Sequence, residues 1–505
     1  VSYLVGADIG TSGLKAVLVD SAGAILAVAE RHYQLYHPRP AWAENHPEDW
    51  FDALVLAIGD LIAGAGVKAA DVVGLGIAGQ RDTAVLLDQS GTVVTPSIHW
   101  SDQRDPVGTA ELFATIGHER IVRISGVAPT PGLVLPNLAW TRRSLPSAWS
   151  RTRYVVQPKD YVAFRLTGEV ATDTSTPSRS LLNDWRRDEW SADLCAAADI
   201  PEQLLASIRY QPWEARGVLS TGAASELGLP AGTTLAAGGG DDQAAMLGSG
   251  VVRPGAVSIG TGSSMCWRIV TADPMPDQSE RISIARHVVP SLHIYEMVAV
   301  GTGASLRWFR DSLGASGRSK RPSYEALLAE ATTVPAGADG LLFYPFLSGA
   351  TFPRRSEYGS GVFFGIRAGH DRRHFVRAIL EGTAYLYPSL AEASSSHGAA
   401  VDELTMVDGE ARSPLWNQIK ADVLNRPIST PRVVEAAALG SAIHAGVAAN
   451  VYTTVYEGAR SLVEPGQTYE PDAASAARYA ELRGRWESVG AFLFEAFAAI
   501  GGWSP

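Results

Sequence analysis

The chain has 505 residues, 46% of them hydrophobic and 19% charged, with a formal net charge of −11 at pH 7. That length is too great for one ordinary core and predicts two large domains or three smaller ones. The acidic balance argues against nucleic acid or an anionic membrane as partner, while leaving room for a local basic pocket. Only Cys195 and Cys266 occur, so neither a disulfide framework nor a zinc cluster is available, which fits a reducing compartment. No apolar run reaches the ~18–20 residues that span a bilayer. The N-terminus enters a strand without a basic segment or cleavable apolar stretch, so the expected location is cytoplasmic.

Residues 14–19 and 25–29 are apolar runs separated by the turn signal Ser21-Ala22-Gly23, and the first thirty residues read as a β-meander. Residues 47–63 follow as a helix with Trp50, Leu54, Ile58 and Leu61 on one face. Residues 72–78 and 84–87 are strand-like, 157–166 helical, and 234–237 resume the sheet pattern. This order predicts an α/β domain with a mixed sheet. The second half repeats the theme: a hairpin over 256–270, a helix over 372–390 (Phe375, Ile379, Gly382, Leu386, Leu390), and a helix over 413–424 opened by Ser413-Pro414. Residues 435–449 form a small-residue helix that admits another backbone or a flat ring. Residues 474–498 close the chain with Tyr479, Leu482, Trp486, Val489 and Leu493 on one stripe. The boundary between halves is placed at 247.

Two glycine-threonine turns half a chain apart carry the chemistry: Asp8-Ile9-Gly10-Thr11-Ser12-Gly13 and Ser258-Ile259-Gly260-Thr261-Gly262-Ser263-Ser264. Such turns expose backbone N–H groups and hydroxyls in a nest that suits phosphate oxygens. Their pairing points to a nucleotide polyphosphate held by two related halves. Asp8 heads the first turn, where a carboxylate suits Mg²⁺ beside phosphates; Lys15 is either a phosphate partner or a solvated strand residue. Gly238-Gly239-Gly240-Asp241-Asp242 is the sharpest candidate, because three glycines allow close backbone approach and a carboxylate follows at once. Asp242 is expected to cap a helix over 243–247, leaving Asp241 to accept a proton from an alcohol. Arg81-Asp82 is either a surface ion pair or a clamp for vicinal hydroxyls. Trp100 is either a core residue or an apolar wall for a sugar. Gly74-Leu75-Gly76-Ile77-Ala78-Gly79 fits G-x-G-x-x-G, but a strand and a turn follow where a dinucleotide site needs a helix, so that reading is rejected. No P-loop and no protein-kinase signature occur.

Over nearly its whole length the chain resembles the FGGY carbohydrate kinases. The resemblance rests on Asp8-Ile9-Gly10-Thr11-Ser12, Gln157-Pro158-Lys159-Asp160-Tyr161 with Leu166-Thr167-Gly168, Gly239-Gly240-Asp241 and Gly260-Thr261-Gly262. It continues through residues 365–370, Leu380-Glu381-Gly382, Ser413-Pro414-Leu415-Trp416 and Ala436-Ala437-Ala438-Leu439-Gly440. It implies a two-lobed α/β fold of the actin/hexokinase (ribonuclease H-like) type with a central cleft. Residues 1–247 would be the sugar-binding lobe and 248–505 the nucleotide-binding lobe. The expected activity is transfer of phosphate from ATP to a sugar hydroxyl. By resemblance Asp241 is the general base and Asp8 lies near Mg²⁺. Thr11, Ser12, Lys15, Gly260, Thr261 and Gly262 are expected at the phosphates, with Gly409, Glu410 and Ala411 bordering the nucleotide. Gln80, Arg81, Asp82 and Trp100, with Asp241, are expected at the sugar. Similar proteins often form homodimers.

The likeness is strongest to the xylulokinase branch, which places D-xylulose or another pentulose first. Gln80-Arg81-Asp82-Thr83 departs from that branch and looks like the segment with which glycerol kinases hold glycerol, so glycerol or a four- or five-carbon polyol is the alternative. A nucleotide-dependent switch without a sugar substrate is the rival of another class. Asp408-Gly409-Glu410-Ala411 replaces a run of glycines; Glu410 would repel phosphates unless it points outward or pairs with Arg412.

Overall fold

The computed structural model describes residues 2–262, 264–313, 321–433 and 435–501. It divides into two compact units. The first comprises residues 1–252, 272–294 and 435–464, and the second residues 253–271, 295–434 and 465–505. Among the described residues no helix is long and apolar enough to cross a membrane.

The first unit is built on a sheet in the order Ala215–Val218, Thr234–Ala236, Val72–Gly79, Tyr3–Ile9, Gly13–Asp20, Ile25–His32. The predicted meander forms its antiparallel half, with Ile9 opposite Leu14 and Leu18 opposite Ala27. Strand alternation sends Val5, Ala7 and Ile9 into one core, where they meet Trp50, Leu54, Ile58 and Leu61 of the helix Pro47–Ala65. The other face carries Gly6, Gly74 and Gly76. A Cβ on Gly6 would lie 1.9 Å from the carbonyl oxygen of Ala438, and one on Gly76 equally close to that of Ser441. The helix Ala436–Ala448 therefore rests directly on the strands; its small residues admit a backbone, not a ring. Two glycines of the rejected dinucleotide pattern thus have a packing purpose inside the strand Val72–Gly79.

In the second unit the strand order runs His293–Ala299, Met265–Thr271, Ala256–Thr261, Glu403–Asp408, Ile428–Pro431, Pro465–Tyr469. The helix Ala473–Ile500 lays Trp486 over Tyr344, with ring centroids 4.8 Å apart, and the indole N–H donates to the Phe343 carbonyl at 2.8 Å. The helix expected over 372–390 is broken in two, Arg372–Ala384 and Tyr387–Ser396. Pro388 is the cause: it lacks the N–H that would bond the Ala384 carbonyl, and its ring collides with that group, so the chain restarts with proline in the first turn. Leu380-Glu381-Gly382 is structural. Glu381 accepts the Gly337 N–H at 2.9 Å, and a Cβ on Gly382 would sit 2.2 Å from the Phe343 oxygen.

Candidate active site

Three parallel segments of the first unit end side by side. Ile9 lies opposite Gly79 in register, and Gly240 lies opposite Gly79 on the other side. Ligand sites of open α/β sheets form beyond the carboxyl ends of such strands. The segments that follow are brought together by this register: Gly10-Thr11-Ser12, Gln80-Arg81-Asp82 and Asp241-Asp242. The Gln80 N–H ties two of them by donating to the Ile9 carbonyl at 2.8 Å.

Each glycine before Asp241 has a steric reason. Gly238 has φ +71°, and its Cβ would fall 1.9 Å from the Ile77 oxygen; Cβ atoms on Gly239 and Gly240 would meet Ser175 Oγ at 2.8 Å and Arg81 Cδ at 2.6 Å. The helix Asp241–Gly248 starts immediately after, with extended Gly240 as its N-cap. Asp242 is therefore not the cap expected from the sequence. Both acids stand in the first turn, where the helix dipole favours them, and the Asp242 N–H donates to Asp241 Oδ1 at 2.8 Å. Buried Arg81 answers them, with Nη2 2.7 Å from Asp242 Oδ2 and Nε 3.9 Å from Asp241 Oδ1. Asp241 keeps 30% of its side chain exposed, so it remains open to a ligand. Burial, and then the charges of Asp242 and Asp8, push its carboxyl well above the usual range against the pull of Arg81. Such a carboxylate holds a proton more readily than an ordinary one, which suits general-base work.

The remaining sugar candidates are held from behind. Gln80 Oε1 accepts from His99 Nε2 at 2.8 Å, and the Ser101 N–H reaches His99 Nδ1 at 3.1 Å. Burial lowers the His99 pKa to about 4, so the ring is neutral and this polarity is fixed. Asp82 takes the left-handed φ of 65°, receives Arg179 Nε on Oδ2 at 3.2 Å and gives its N–H to Gln157 Oε1 at 2.8 Å. Each of the two thus has a counter-ion far away in sequence, Asp242 for Arg81 and Arg179 for Asp82. Trp100 is 46% exposed, which excludes the core reading and leaves its ring available as a wall.

Thr11 is half-buried and Ser12 exposed at the first turn, which Tyr33 braces: its hydroxyl donates to the Gly10 carbonyl at 2.5 Å and its N–H to the Ser12 carbonyl at 3.2 Å. Burial, Asp8 and Asp241 together raise the Tyr33 pKa well above its ordinary value. Tyr33, His99 and Arg179 were not foreseen as site residues; none lies in a glycine turn or beside an acid pair in the sequence. Lys15 sits opposite Asp8 in the hairpin, half-buried and with no ion-pair partner among the described residues.

The second unit repeats the turn. Gly260 lies opposite Cys266 and Val407, Thr261 opposite Met265 and Asp408, and the Gly262 N–H donates to the Ser264 carbonyl at 3.1 Å. Ser263 lies outside the described residues. A further Gly-Thr-Gly, residues 301–303, was overlooked although its pattern is the same. It opens the helix Thr302–Ser312, and a Cβ on Gly303 would fall 1.9 Å from the Gly262 oxygen. Gly409 begins a short 3-10 turn, Gly409–Arg412, and Ala411 accepts Asn417 Nδ2 on its carbonyl at 2.9 Å. Glu410 neither points outward nor pairs with Arg412. It is 7% exposed, and its Oε2 lies 2.5 Å from Nζ of fully buried Lys420. Lys420 belongs to the helix Pro414–Leu424, and its ammonium also sits 4.7 Å from the Trp416 ring centroid. The lysine balances the charge of Glu410 within the protein.

Residues 3–248 match the N-terminal domain, and residues 255–449 the C-terminal domain, of the FGGY family of carbohydrate kinases. The chain is 30% identical over 483 residues to the xylulose kinase of Escherichia coli K12, covering 95% of this chain and 96% of that one. It is also 30% identical over 505 residues to the glycerol kinase of Bordetella parapertussis, covering 96% of each. The crystal structure of xylulose kinase from Rhodospirillum rubrum superposes with a TM-score of 0.90 at 31% identity, over 98% of this chain and 100% of the other. The fold is thus the two-lobed α/β fold of these kinases.

Proposed function

Because this chain belongs to the FGGY family of carbohydrate kinases, and so is an ATP-dependent sugar kinase, we propose that its acceptor is a pentulose, with D-xylulose first. The likeness to xylulose kinases of two bacteria supports that choice. In this reading Asp241 takes the proton from the attacking hydroxyl, a contribution typically of ~10²–10⁴ in rate. Arg81 holds Asp241 and Asp242 in place without fully neutralising them. Gln80, oriented by His99, and Asp82, oriented by Arg179, bind acceptor hydroxyls, and Trp100 covers an apolar face of the sugar. Thr11, Ser12 and Lys15 in the first unit, and Gly260, Thr261, Gly262, Gly409, Glu410 and Ala411 in the second, are each read as nucleotide-binding, with backbone N–H groups offsetting phosphate charge.

Mg²⁺ is implied by the family. The half-buried Asp8 carboxylate, close enough to Asp241 to raise its pKa, is a hard oxygen donor of the kind Mg²⁺ accepts. Among the described residues no group of three or more His, Cys, Asp and Glu is arranged to hold a metal. One carboxylate with phosphate oxygens and water is a usual magnesium complement, and the ion would supply charge neutralisation on the phosphates.

The setting of Asp241, half-open and crowded by two acids, carries the proposal. ADP release measured over D-xylulose, other pentuloses, glycerol, erythritol, ribitol and arabitol tests it, with kcat/KM as criterion. Highest efficiency on a pentulose is expected. Highest efficiency on glycerol overturns the substrate and favours the second reading, a glycerol or C4–C5 polyol kinase, which the Gln80-Arg81-Asp82-Thr83 segment supports.

A further inference from the structure

The triple-glycine segment is gripped at both ends by one buried cluster. Lys159, in the first turn of the helix Pro158–Thr167, places Nζ 2.7 Å from Asp160 Oδ1 and 2.9 Å from Asp173 Oδ1. The same ammonium donates to the carbonyl of Ala237, just before the glycines, at 3.2 Å. Asp173 ends the strand Ala171–Asp173 and accepts both the N–H, at 2.6 Å, and the hydroxyl of Ser175. With its proton committed to Asp173, Ser175 Oγ can only accept at its other side, and there it receives the Gly240 N–H at 3.2 Å. Gly240 is the residue before Asp241. Lys159, Asp160, Asp173 and Ser175 are each at most 1% exposed. Arg216 completes the charge balance by donating to Asp160 at 3.1 Å. Against the cost of burial, Lys159 and the hydroxyls of Ser175 and Thr176 hold the Asp173 carboxyl below the usual range.

We propose that Ser175, oriented by Asp173 and Lys159, is a positioning residue for phosphoryl transfer: it anchors the Gly239–Gly240 peptide, one residue before Asp241, and so sets the reach of that carboxylate toward the acceptor hydroxyl. The inference rests on the reading of Asp241 as the base. The glycines make the anchor necessary, since they remove every side chain that could otherwise stiffen the segment. They also make it specific, because Gly239 leaves the room that Ser175 Oγ occupies. A misplacement of about 1 Å at a reacting group can cost roughly 100-fold in rate, and one lost anchor hydrogen bond permits a shift of that order.

Ser175→Ala and Asp241→Asn, singly and together, test this by sugar-dependent ADP release and thermal melting. The expected result is a roughly 10- to 100-fold fall in kcat for Ser175→Ala, with KM for ATP within about twofold and little change in Tm. The same substitution is expected to have no further effect in the Asp241→Asn background, where residual transfer does not use the carboxylate. Unchanged kcat, or a loss that multiplies fully with that of Asp241→Asn, overturns the proposal. If Ser175→Ala does not fold, Asp173→Asn is read by the same criteria, with a smaller fall of about three- to tenfold expected. Full activity of Asp241→Asn alone removes the reading of the base rather than that of its anchor, so the two failures are distinguishable.

Discussion

The two units place opposite charges at corresponding points. In each, a hairpin's first strand is paired in parallel with a neighbour: Tyr3–Ile9 with Val72–Gly79, and Ala256–Thr261 with Glu403–Asp408. The residue two beyond the last paired position of that neighbour is Arg81 in the first unit and Glu410 in the second. Both are buried, and both have a counter-ion, Asp242 for Arg81 and Lys420 for Glu410. The surroundings differ. Arg81 faces two acids that are about one-third exposed and leaves one of them hard to ionise; Glu410 is closed against a lysine with no exposure at all. One scaffold position thus supports a half-open pair of acids in the first unit and a closed, charge-balanced pair in the second.

The strongest way to break that contrast is Asp241→Asn, for which sugar-dependent ADP release should fall by ~10²–10⁴ while KM for ATP stays within a few-fold; half the turnover retained would end the argument. The raised pKa adds a pH signature. A base must be unprotonated, so kcat should fall on the acid side at a higher pH than an ordinary aspartate would give. For stability the sign is opposite: a folded-state pKa above the unfolded one favours the protonated form, and that contribution is lost as pH rises through the folded value. Asp241→Asn should therefore melt higher than wild type near pH 8, with the difference shrinking toward pH 4.

Next in size is Lys420→Met, which strands a buried carboxylate and should cost about 3–5 kcal/mol; urea melts should show most of it restored by adding Glu410→Gly. A small loss would mean that Glu410 reaches water. Gly303→Ala should be milder, about 1–3 kcal/mol of overpacking against the Gly262 carbonyl, seen as a raised KM for ATP with KM for the sugar unchanged. Equal effects on both constants would detach Gly303 from nucleotide binding. Smallest is Trp100→Ala, expected to raise KM for the sugar by roughly tenfold or less, about 1 kcal/mol of lost apolar contact, with kcat retained. An unchanged KM would show that the exposed ring meets no sugar.

The elements that position the site were legible because their signals are local. Glycine turns between period-2 runs marked both hairpins, and the acid after three glycines marked Asp241. The misread helix followed from weighing apolar spacing above Pro388. The fate of Glu410 was illegible for another reason: its partner lies ten residues on, across a 3-10 turn and a proline, where no spacing rule applies. Ser175 and Tyr33 were hidden likewise, since each acts on a backbone group far away in sequence. The G-x-G-x-x-G pattern was rightly rejected, yet the purpose of its glycines emerged only with the helix resting on them.

That helix has a consequence for biosynthesis. The surface that Gly6, Gly74 and Gly76 flatten is covered by residues emerging from the ribosome more than 350 positions later. Until residue 448 has been translated, the earliest strands have one apolar side bare. A polypeptide stopped at residue 252 should stick to itself or to a chaperone, and supplying residues 435–464 as a separate peptide should relieve this.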